Sequence, residues 1–156
     1  LEPAVLPASR QTKTKKILVI ATQATIKCKK YPSQYNGAQV KYCASKNLAA
    51  IIENNFYDYD KIYYCIKKLL SPYDNWGYDC FVLGCTHYVL KRRIFELALS
   101  GKAQIFDGNH GTAQNIKRIL AKNGLLNENG GNTRILLSDC TKNKNILYKN
   151  ILDGLS

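Results

Sequence analysis

The sequence is 156 residues long, 46% apolar and 10% aromatic, with a formal net charge of +12. That is enough chain for one domain with a real core, or for part of a larger protein, and it is too apolar for a disordered segment. No apolar run approaches membrane-spanning length and the opening residues carry no signal-peptide pattern, so a soluble, cytoplasmic protein without a membrane partner is expected. The basic residues recur in separate groups (Lys13–Lys16, Lys27–Lys30, Lys67–Lys68, Lys91–Arg93), not in one stripe interleaved with aromatics. They predict a general attraction for anions and argue against a dedicated nucleic-acid surface. Cys28, Cys43, Cys65, Cys80, Cys85 and Cys140 form no CxxC pair and no regular framework, which predicts reduced thiols. A chain that opens on Leu1 and contains no methionine is expected to be a piece of a longer translation product.

In chain order, Leu1–Ser9, with Pro3 and Pro7, reads as an extended opening followed by a turn or short helix, and Arg10–Lys16 as a charged connector. Ile17–Ala21 is a continuous apolar run, the pattern of a strand buried on both faces. It runs into Thr22-Gln23-Ala24-Thr25, where a hydroxyl can cap a helix extending towards Tyr31. Tyr31–Gly37 reads as a loop and Gln39–Ala44 as a short second strand. Helices are predicted over Leu48–Glu53 and Tyr59–Leu70, the latter with an apolar stripe of Ile62, Tyr63, Ile66, Leu69 and Leu70 and a stop at Pro72. Val89–Leu99 reads as a helix with Leu90, Ile94, Leu97 and Ala98 inward. Ala103–Phe106 reads as a strand, and His110–Lys122 as a helix burying Ala113, Ile116, Ile119 and Leu120. A glycine-rich loop over 127–132, a last strand Thr133–Ser138 and a last helix Asn145–Leu152 complete the chain. Strands alternating with helices define an α/β class with a mostly parallel sheet flanked by helices.

The stretch with most chemistry is Cys80–Leu83, a four-residue apolar strand, followed by Gly84-Cys85-Thr86-His87-Tyr88. In an open parallel sheet, ligands bind beyond the carboxyl ends of the strands, where backbone N–H groups of the next helix face outward. A thiol there lies near a positive helix end, an arrangement that favours thiolate, and His87 can donate a hydrogen bond or accept a proton. Against this stand the plainer possibilities that Cys85 is a small core residue and that Thr22 and Thr25 only cap a helix.

Taken with their flanks, these motifs resemble the glutamate racemases of the cofactor-independent aspartate/glutamate racemase superfamily. Gly84-Cys85-Thr86-His87-Tyr88 is the strongest match, followed by Ala21-Thr22-Gln23-Ala24-Thr25-Ile26 with Tyr31. The opening Leu1-Glu2-Pro3-Ala4 looks like that family's interdomain crossing, and Asp107-Gly108, Thr133–Ser138 and Thr141 fall in the family's order. Val89 stands where the family usually has proline, and Cys28 where it usually has serine. The family's first half, with its Asp-Ser turn, Pro-Tyr-Gly and Cys-Asn-Thr segments, has no counterpart here.

The resemblance implies the flavodoxin-like half of a two-domain racemase that interconverts L- and D-glutamate without a cofactor. Inversion needs an acid and a base on opposite faces of one carbon, each poised near working pH, as thiols of reference pKa about 8.5 can be. By the resemblance Cys85 is one of the pair, His87 assists it, Glu53 orients His87, and Thr22, Thr25 and Thr86 hold the substrate. The other cysteine would come from the absent N-terminal half, so this chain alone is expected to be inactive. The resemblance further implies 1–16 as crossing and connector and 17–106 as the domain carrying Cys85. Residues 107–156 would pack back on the absent half, and the complete protein could form a homodimer. The alternatives are an aspartate or other amino-acid racemase of the superfamily, or a non-catalytic basic binding module. A metal site from Cys85, His87 and His110 lacks the four-ligand spacing of structural zinc, and no metal is expected.

Overall fold

The computed structural model describes residues 2–28, 32–127, 130–131, 136 and 142–153. They fall into two compact units, 1–119 and 120–156. The expected strand Thr133–Ser138 and the segments at Tyr31, Cys140 and Thr141 lie outside the described residues, apart from Leu136.

The first unit is built on a five-stranded sheet. Its middle strand, β1 (Lys16–Thr22), pairs in parallel with β3 (Ala38–Ser45) on one side and β4 (Cys80–Leu83) on the other. β5 (Gln104–Phe106) extends the sheet in parallel beyond β4. The two-residue β2 (Gln34–Tyr35) pairs antiparallel with β3 at the opposite edge, giving the order β2-β3-β1-β4-β5. Sequence pattern read 31–37 as loop, because a two-residue edge strand exists only through its pairing. Ile17–Ala21 are fully buried, as a strand covered on both faces must be.

Side chains alternate between those faces. Leu18, Ile20, Cys43, Phe81 and Leu83 meet Ile52 of α3 (Leu48–Asn54), Ile62 and Ile66 of α4 (Tyr59–Leu70) and Phe95 of α6 (Arg92–Leu99). Ile17, Val19, Val40 and Val82 meet Ala4, Val5 and Ala8 of α1 (Glu2–Gln11). The opening is thus a helix rather than extended chain. Its first-turn Pro3 is tolerated where N–H groups have no partner, and small residues at helical spacing let it lie close on the sheet. α4 begins at Asp58, whose carboxylate accepts from Lys61 N–H at 3.0 Å, and gives way to a 3-10 turn at Ser71–Tyr73.

Three further expectations are corrected. The helix after Cys85 is not continuous: a single turn, α5 (Thr86–Val89), breaks at Leu90-Lys91 before α6 begins. In α6 the inward residues are Ile94, Phe95, Ala98 and Leu99, while Leu97 is 67% exposed. At 100° per residue Leu97 lies roughly 130° from the centre of that stripe. In α7 (Asn109–Lys122) the apolar stripe exists but faces outward: Ile116 and Ile119 are exposed and no residue of the helix is buried.

The second unit contains α8 (Lys142–Asp153), the expected last helix with longer ends. No described helix is long and apolar enough to cross a membrane.

Candidate active site

The register of β1 against β4 sets Ile20 opposite Leu83, and Gly84 N–H adds a 2.8 Å bond to the Ile20 carbonyl. On the other side Thr22 pairs with Ser45. Ser45, Thr22 and Cys85 therefore leave the carboxyl edge of the sheet from three adjacent strands. Cys85 is extended (φ −145°, ψ 139°) and half-buried, and its carbonyl accepts from Tyr88 N–H at 3.1 Å, starting α5. One helical turn presents free N–H groups but only a small macrodipole.

Cys85 and Thr86 line an open pocket of about 180 Å³, bounded across from them by Gly108, Asn109 and Thr112 at the start of α7. That boundary is held in place from α6. Arg92 donates to Asp107 Oδ2 and to the Ile105 carbonyl, both at 2.9 Å, while Asp107 Oδ1 accepts from Asn109 N–H at 3.0 Å. In the sequence Arg92 stands only as part of a basic run, and its spacing carries no sign of a partner 15 residues on.

His87 Nε2 lies 3.5 Å from Glu53 Oε2, both side chains being roughly one-third exposed. This joins the last turn of α3 to α5 and is an ion pair when the imidazole is protonated. Thr22 and Thr25 are bound to each other, hydroxyl to hydroxyl at 2.8 Å, and Thr22 Oγ1 accepts from Thr25 N–H at 3.2 Å. That is an N-cap for α2 (Gln23–Cys28). Of the six candidates, Cys85 and Thr86 share the pocket, His87 meets Glu53, and Thr22 meets Thr25. Thr22, Thr25, His87 and Glu53 do not line the pocket wall. Ser45, which sequence reasoning passed over, is buried at the same strand edge and accepts from Leu48 N–H at 3.1 Å.

The remaining thiols differ in kind. Burial pushes Cys43 up to about 11, and its Sγ donates to the Leu69 carbonyl at 3.4 Å. Cys80, inside β4, is pushed up to about 11 by burial and by the neighbouring Asp79 charge. Neither supplies a thiolate near neutral pH. Cys65 on α4 is half-buried. Among the described residues no group of three or more His, Cys, Asp or Glu is placed to hold a metal ion.

Fold and site together define an open α/β domain with a thiol and a hydroxyl at the carboxyl ends of parallel strands, the place where such sheets bind ligands. No family model matches the chain. Curated proteins do. The chain is 31% identical to a glutamate racemase from Halothermothrix orenii, over 99% of its own length and 63% of that protein's. It is 30% identical to one from Clostridium botulinum (94% and 59%) and 35% identical to one from Lactobacillus helveticus (80% and 48%). Glutamate racemase isoform RacE1 from Bacillus anthracis superposes with a TM-score of 0.64 at 27% identity, covering 82% of this chain and 50% of that one. A glutamate racemase from Francisella tularensis, solved in complex with D-glutamate, shares the fold with a TM-score of 0.78 at 21% identity, covering 96% and 58%. The chain thus matches the second half of glutamate racemase, and it spans at most about three-fifths of the length of these relatives.

Proposed function

We propose that this chain is the Cys85-bearing half of a cytoplasmic glutamate racemase that makes D-glutamate for peptidoglycan. The observation that carries the proposal is the place of Cys85, half-buried at the end of β4 with Thr86 in a pocket, in a chain about 30% identical to glutamate racemases. In this mechanism the Cys85 thiolate takes the α-proton of one enantiomer, leaving a carbanion that a thiol on the opposite face reprotonates. In the reverse direction Cys85 is the donor. His87 moves or steadies the Cys85 proton and Glu53 orients His87 through the 3.5 Å contact. Thr22, Thr25 and Thr86 hold the substrate's amino and carboxylate groups, the bonded Thr22–Thr25 pair keeping one hydroxyl hydrogen and spare lone pairs to offer.

The opposite thiol belongs to the part of such enzymes that this chain does not span. Residues 17–106 form the domain that carries Cys85, with α1 covering one face of its sheet, and 107–156 pack on that other part, consistent with the exposed Ile116. A single base exchanges an α-proton but does not invert the carbon. Incubation with L- or D-glutamate in D2O, read by NMR and chiral chromatography, tests this. The chain alone should give slow α-deuteration with retention at most. Addition of the first half of a relative should restore inversion, and Cys85→Ala should abolish both. If the complemented pair neither deuterates nor inverts glutamate, the proposal is wrong; faster turnover of aspartate would move it to another racemase of the superfamily. The net charge of +12 favours one different reading, a basic binding module, which predicts salt-dependent DNA binding that survives Cys85→Ala.

A further inference from the structure

Lys91 sits where a charge is costly. It is 5% exposed, at the break between α5 and α6, and among the described residues it enters no ion pair. Its Nζ lies 3.2 Å from the centroid of the Phe56 ring and 4.9 Å from that of Tyr59. An ammonium over aromatic faces is attracted by the negative face of each ring, more strongly as water is excluded. Burial lowers its pKa, the direction expected of a desolvated cation. An apolar side chain of the same length would fill this space without the desolvation cost, so what the charge adds here is its attraction to the two rings.

Phe56 lies in the turn between α3 and α4 and Tyr59 opens α4, the turn beginning two residues after Glu53. The lysine backbone is in turn fixed to the Cys85 segment, its N–H donating to the Tyr88 carbonyl at 3.0 Å, and to α6, its carbonyl accepting from Ile94 N–H at 2.9 Å. Two cross-links therefore join the same pair of segments, Glu53 to His87 and Phe56 with Tyr59 to Lys91. The first is a long, partly exposed contact that is weak on its own. In the second the lysine is buried, Phe56 is half-buried and Tyr59 closes the outer side.

We infer that Lys91 is a positioning residue: its ammonium, clamped on Phe56 and Tyr59, holds the α3–α4 turn against the Cys85 segment and so maintains the Glu53–His87 contact. That this matters for proton transfer at Cys85 rests on the function proposed above; that Lys91 sets the contact does not.

The chain has two histidines, so the ring signals of His87 and His110 are readily told apart by NMR. Glu53→Gln is introduced in the parent and in Lys91→Met, and the displacement it causes at the His87 signals is compared, with His110 as reference. The displacement should shrink at least threefold in Lys91→Met, and Lys91→Arg, whose guanidinium also stacks on rings, should restore most of it. Iodoacetamide modification of Cys85 should change at least threefold in Lys91→Met. If Lys91→Met does not fold, Phe56→Leu, which keeps the lysine and removes the nearer ring, reads the same quantity. An equal displacement in parent and folded variant overturns the inference, because a merely structural lysine would alter stability and leave the contact intact. Neither readout contains glutamate, so this result and the D2O exchange result can fail independently.

Discussion

Asp79 shows how one side chain anchors the central strands. It directly precedes β4, and its two oxygens accept from the Thr12 and Thr14 hydroxyls and from the Lys13 and Thr14 N–H groups at 2.5–3.1 Å. The link holds the segment between α1 and β1 to the start of β4. Burial alone would push this carboxyl up, but the hydrogen bonds outweigh it and lower the pKa from 3.8 to about 2. A carboxyl with a lowered folded-state pKa contributes stability above its unfolded value, and the contribution is lost as pH falls from about 4 towards 2. For a partly exposed group, screening reduces this to about 1–2 kcal/mol. Asp79→Asn is therefore expected to lower the urea-unfolding free energy by about that amount at pH 7, with the difference vanishing near pH 2. A difference of the same size at both pH values would show that packing, not charge, is responsible.

Helices in this protein are stable where a stripe is covered, whatever the stripe's strength. α4 has Ile62, Ile66 and Leu70 buried at helical spacing on the sheet, whereas Tyr64 on the same helix is 71% exposed. Ile66→Ala should cost about 2–5 kcal/mol by losing buried area and leaving a cavity, whereas Tyr64→Ala should stay within about 0.5 kcal/mol. Denaturant midpoints of the two variants check this contrast, and comparable losses would contradict the burial. α7 is the converse: the periodicity that predicted inward packing is there, but Ile116 and Ile119 are exposed and no residue of the helix is buried. Pattern registers which side chains can share a face; it does not say that anything lies opposite.

At the scale of the whole molecule, the buried apolar contacts among the described residues concentrate in the sheet and in the helices up to Phe106. Hydrogen exchange of the isolated chain should therefore protect β1, β3 and β4 most, and 17–106 as a group more than 107–156. Equal protection of the two segments in a monomer would refute the proposal that 107–156 belongs against another half.

Much of this molecule was legible before folding. β1 and β4 announce themselves because strands buried on both faces must be continuously apolar, and α4 because a period of 3.6 ends at a proline. The location of Cys85 at a strand end followed from the run before it and the glycine that closes it. α1 was hidden by two prolines, Pro3 in its first turn and Pro7 inside it, and the α5–α6 break by an apolar pattern that continues across it.

What residue order determined by itself was the class of fold and the chemistry delivered to one edge of the sheet, since both depend on periods of two and 3.6 along a single chain. Which groups meet there was decided only in three dimensions. Glu53 is 34 residues from His87, Phe56 is 35 from Lys91, and Arg92 reaches across 15 residues to Asp107. Such pairings have no local signature, because they are set by the order in which parallel strands lie side by side and by the helices that cross between them.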